Sequence, residues 1–150
     1  FSKCLLNWTD AYIVTGDTQI TLGSFEKTGD CIIIPKNWNG SYYSEYYIID
    51  FYTPTGVNEE QAGYSGLIDG SGIRIFHVDA SLNTSTGLSS PSSCWSLTKY
   101  DNSETSQVLL EFVSARGTTT ASGSLTDNSD LFKVFESGNE RYLKKKNLIY

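Results

Sequence analysis

The chain carries a single histidine, His77, and Asp79 follows it two residues later. On an extended strand, residues i and i+2 share a face. A carboxylate beside an imidazole can orient the ring for base catalysis. That chemistry also requires a nucleophile, and none is identifiable. Ser71 lies in Gly70-Ser71-Gly72, which lacks the Gly-x-Ser-x-Gly spacing of a nucleophile elbow. A Ser/His hydrolase is therefore kept only as an alternative. The leading reading of His77 and Asp79 is a strand end fixed by a hydrogen bond.

The other chemistry-bearing residues are tested in the same way. A catalytic zinc takes three protein ligands, mostly histidine. With one histidine and no His-Glu-x-x-His, these residues are expected to hold no zinc, and no other cofactor is expected. Glu45 and Asp50 stand on one strand at a spacing that turns them to opposite faces, which disfavours a two-carboxylate glycosidase site. Asp127-Asn128-Ser129-Asp130 offers oxygen ligands without the spacing of a calcium loop, and such residues serve as loop caps and Asx turns. Gly70-Ser71-Gly72 is no phosphate loop, because Ile75 stands where a third glycine is needed. Its glycines are expected to turn the chain into a strand. Cys4, Cys31 and Cys94 make an odd set with no Cys-x-x-Cys pair. They read as small buried hydrophobes, with one disulfide left open. Trp38, Tyr42 and Tyr43 gather near Tyr46, Tyr47 and Tyr52, either as a platform for a glycan or peptide or as core.

The elements that position these residues follow from the pattern. Phe1, Cys4, Leu5 and Trp8 fall at i, i+3, i+4 and i+7, one apolar helical face. Independent helices need roughly 12–15 residues. Residues 1–9 are therefore expected to be the tail of a preceding helix, and 10–150 a single β domain. Gly16-Asp17 separates two β-branched runs and suggests a hairpin. Cys31 to Ile34 is an apolar strand stopped by Pro35. Glu45 to Tyr52 has apolar bulk on both faces: Tyr47, Ile49 and Phe51 on one, Tyr46, Ile48 and Tyr52 with Asp50 on the other. That marks a central strand. A long loop leads to a strand from Gly72 to Asp79, and polar turns separate further strands at 94–100, 107–113 and 141–150, with a strand or helical turn at 131–135. The expectation is an all-β fold: an antiparallel β-sandwich or open barrel of about eight strands with a short N-terminal helical turn.

Composition sets outer limits. Hydrophobic residues make up 39% and charged residues 19%, which excludes the disordered class. No apolar run approaches the ~20 residues of a membrane span. A net charge of −6 argues against nucleic acid as a partner. Lys133, Arg141 and Lys144 to Lys146 read as solubilising charge on a strand edge.

Two stretches resemble a known family. Glu45-Tyr46-Tyr47-Ile48-Ile49-Asp50 is similar to the Glu-Tyr-Tyr/Phe-Leu-Ile-Glu strand of the immune-inhibitor-A-like bacterial metallopeptidases, peptidase family M-six. Gly70-Ser71-Gly72-Ile73-Arg74-Ile75-Phe76-His77-Val78-Asp79 resembles the segment that follows it there. Phe1-Ser2-Lys3-Cys4-Leu5-Leu6-Asn7-Trp8 looks like the helix that closes the family's catalytic domain, with Asn7 where glycine is usual. The order of the pieces also agrees, over roughly the first half of the chain. In that family the zinc motif precedes this region. The resemblance thus implies a non-catalytic β-rich accessory domain of a secreted or cell-surface protein, with zinc held by a preceding protease module that is its partner. It marks Glu45, Gly70, Gly72, His77 and Asp79 as structural family positions and carries over no catalytic residue. The alternative is a stand-alone carbohydrate- or cell-wall-binding module using Trp38, Tyr42 and Tyr43.

Overall fold

The computed structural model describes residues 4, 6, 8–64, 68–80, 109–117, 119–120, 128–132, 135–137 and 140–142. The strand expected at 94–100, most of that at 141–150, and Phe1 and Leu5 of the helical face lie outside the described residues.

The described chain is strand-rich, with little helix. Its main sheet runs in the order β1 (Tyr12–Ile13), β2 (Cys31–Pro35), β3 (Glu45–Tyr52), β4 (Gly72–Asp79), β5 (Leu110–Val113) and β6 (Thr119–Thr120). A separate pair joins β7 (Phe135–Ser137) to β8 (Glu140–Tyr142). Short helices α1 (Phe25–Thr28) and α2 (Glu59–Ala62) lie in the connections.

β3 and β4 are the spine. They pair antiparallel along their whole length, from Glu45↔Asp79 to Tyr52↔Gly72. The pleat sends alternate side chains to opposite faces. On one face, Ile33, Ile48, Phe76 and Phe112 form a row across four strands. Cys4, Cys31, Tyr46, Val78 and Ala80 complete that core. Phe76 and Phe112 meet edge to face at 5.5 Å. On the other face, Ile32, Ile49, Ile75 and Val113 form the matching row, with Ile73, Phe51 and Phe132 packed beside it. Each fully buried side chain of this size contributes about 1.5–3 kcal/mol. The expected division of the Glu45–Tyr52 strand between two faces agrees with this packing.

The sheet is mixed, not wholly antiparallel. β1 pairs parallel with β2, Tyr12 opposite Ile32, and the Val14 N–H donates to the Ile33 carbonyl at 2.9 Å. The hairpin expected at Gly16-Asp17 does not form. Gly16 lacks the positive φ that a two-residue hairpin turn demands there, and residues 18–22 form no strand. The chain instead returns through α1, closed by Gly29 at φ 74° with its N–H on the Phe25 carbonyl. On the N-terminal face, Cys4 is buried and Trp8 is 73% exposed.

In the long connection after β3, Thr55 and Gly56 open a 3-10 turn that leads into α2. The Glu26 carboxylate accepts hydrogen bonds from the hydroxyls of Thr53 and Thr55, which ties α1 to this connection.

Candidate functional site

The strand ladder sets His77 among charged groups at one end of the sheet. Tyr47 and Glu111 stand opposite it on β3 and β5, and Glu45 lies two residues along β3. All four side chains share one face. His77 Nε2 lies 3.2 Å from Glu45 Oε1, and Nδ1 lies 3.8 Å from Glu111 Oε2. Lys36 Nζ donates to the other Glu45 oxygen at 2.9 Å. The Tyr47 ring lies 5.0 Å from the imidazole, tilted by 36°. The Lys36 bond pulls the Glu45 carboxyl below its ordinary range; burial opposes this and the His77 bond adds to it. Asp79 stands on the same face, opposite Glu45 in the ladder.

The sequence pairing of His77 with Asp79 thus placed both on the right face. The groups that engage the ring are Glu45 and Glu111. Both ring nitrogens face carboxylates, and no serine hydroxyl bonds the ring among the described residues. The network ties three strands together. It presents no nucleophile. No group of three or more His, Cys, Asp or Glu placed to hold a metal ion occurs among the described residues.

Gly70 and Gly72 lie at the other end of β4. The Gly70 N–H donates to Asn128 Oδ1 at 2.7 Å. A Cβ at Gly72 would stand 2.8 Å from Leu131 Cβ. Neither glycine has a positive φ. Close approach of residues 128–132, rather than turn conformation, is what Gly72 permits.

Trp38 and Tyr42 meet edge to face at 5.6 Å, and Tyr42 meets buried Tyr46 at 6.4 Å. The first two are half-buried against the core, while Tyr43 is 42% exposed. They form a stepped chain of rings, and only Tyr43 stands well clear of the core.

Two further polar clusters are structural. Asp50, on the face opposite Glu45, takes a two-pronged bond from Arg74 Nε and Nη2, each 2.8 Å. Asp130 is buried, accepts from Ser114 Oγ at 2.6 Å, and takes Arg116 Nε and Nη2 at 2.9 and 2.7 Å. Sequence reasoning missed Glu111 and Lys36 as partners of the His77 network. A charged residue within an otherwise apolar strand, Glu111, and one just past the end of another, Lys36, were the available signal. Pairing Glu111 with His77 required the β4–β5 register, hidden by the long polar stretch between those strands, and placing Lys36 on Glu45 required the β2–β3 register.

The chain matches no family model, no curated protein and no solved structure. No helix among the described residues is long and apolar enough to cross a membrane.

Proposed function

We propose that this chain is a non-catalytic, β-rich accessory domain of a secreted metallopeptidase-like protein, packed against the protease module that precedes it. The observation that supports the reading most is where the two family-like stretches lie. They form the adjacent central strands β3 and β4, and their polar residues bond one another across the sheet. Family positions used this way serve a scaffold. The N-terminal segment supplies a docking surface: Cys4 is anchored in the core while Leu6 is 55% exposed and Trp8 is more so. Exposed apolar side chains of this size favour a protein neighbour. Buried residues on both sheet faces favour a second layer, in a sandwich or open barrel of about eight strands. Zinc, on this reading, is held by the preceding module.

Titration calorimetry between this chain and the separately produced preceding module tests the proposal. Binding is expected, weakened at least tenfold by Trp8→Ala, the cost of an aromatic anchor being about 2 kcal/mol or more. Absence of binding, or binding indifferent to both Trp8→Ala and Leu6→Ala, overturns it. A second reading, a glycan-binding module, draws support from exposed Tyr43 beside Trp38 and Tyr42. It requires glycan-array binding that Tyr43→Ala abolishes.

A further inference from the structure

The N-terminal segment meets β2 through two cysteines. Cys4 is 5% and Cys31 1% exposed, in one core cluster with Ile33, Tyr46 and Val78. Both are free thiols in this structure, buried together in that one cluster. Thr9, further along the same segment, is also buried, beside the Gly29 turn that precedes β2. Two buried thiols brought together from positions 4 and 31 are an unusual use of small hydrophobes. A covalent link would bring the two sulfurs to ~2.05 Å.

We propose that Cys4 and Cys31 form a disulfide that staples the N-terminal segment to the sheet, leaving Cys94 as the free thiol. The oxidant is a second disulfide, low-molecular-weight or protein-borne. A Cys4 thiolate attacks one of its sulfurs, forming a mixed disulfide and releasing the first thiol. Cys31, on losing its proton, displaces the second thiol and forms the Cys4–Cys31 bond. Two protein thiols thus give up two protons and two electrons, and the acceptor becomes two thiols. Either thiol can attack first, since exchange takes place while both are still accessible. The buried pair meets the oxidant before the segment docks, during folding. The link would hold residues 4–31 as a closed ring and fix the exposed Leu6 and Trp8 in place on the sheet. It stands independently of the accessory-domain reading, since it concerns only this chain.

The test is refolding of the whole chain in a mixture of oxidised and reduced glutathione, followed by alkylation, denaturation and non-reducing peptide mapping by mass spectrometry. The expected result is a linked peptide pair containing Cys4 and Cys31, and one alkylated cysteine of the three, Cys94. Cys94→Ser is expected to keep the link and to show a thermal midpoint that falls on reduction. Overturning results are a link through Cys94 in the folded wild-type chain, or alkylation of all three cysteines in chain whose circular dichroism shows it folded.

Discussion

Asp50 and Arg74 show how a single pair of residues can govern a sheet that is apolar on both sides. The pair lies inside the sheet, with side chains only 5% and 16% exposed. Burial pushes the Asp50 carboxyl up and the Arg74 bonds pull it back. The guanidinium also lies over the Tyr52 ring at 4.8 Å. Removing one partner of a buried pair leaves the other charge without compensation. Arg74→Ala is therefore expected to cost about 3–5 kcal/mol in urea unfolding, while replacing both residues with apolar ones of similar volume costs far less. Glu26 gives a pH signature. Burial works to raise its carboxyl, and bonds from Thr53, Thr55 and its surroundings outweigh that, leaving it at about 2 against an ordinary 4.5. A carboxyl depressed in the folded state adds stability above its unfolded value, and loses it as pH falls through the folded one. Urea midpoints are thus expected to drop between about pH 4.5 and pH 2, with a smaller drop in Glu26→Gln over the same window. At this scale the sequence was half legible. Strand alternation places Glu45 and Asp50 on opposite faces, which the structure bears out. It does not reveal partners, because Arg74, Glu111 and Lys36 become neighbours only through register.

At the scale of elements, the glycine at the start of β4 decides how closely the chain after β5 can approach. Residues 128–132 lie against it, with Phe132 bridging to Ile73 through bonds of 3.0 Å in both directions. Gly72→Ala forces its new methyl against Leu131, at 2.8 Å, and is expected to lose about 1–3 kcal/mol of stability. Gly16→Ala meets nothing within 4 Å and is expected to be near neutral in the same melts. β2, β3 and β4 were legible because apolar residues run continuously or alternate along them, bounded by Pro35, Pro54 and Gly70. β1 was misassigned to a hairpin because β-branched runs around a glycine have the composition of one. β1 instead pairs parallel with the edge of β2, and composition carries no information about which strand edge is open.

At the scale of the molecule, the polar residues most suggestive of catalysis are spent on holding strands together. His77 lies between two carboxylates, Asp50 meets Arg74, and Asp130 meets Ser114 and Arg116. Near the N-terminus, Leu6, Trp8 and Tyr12 are exposed and available to a neighbour. This division of labour fits an accessory domain, and it predicts that the purified chain incubated with zinc hydrolyses no casein or peptide substrate. The measurement that bears most directly on the claim is the sequence of the natural polypeptide that carries these residues. The account predicts a His-Glu-x-x-His zinc motif in the segment preceding Phe1. A natural polypeptide without one contradicts it.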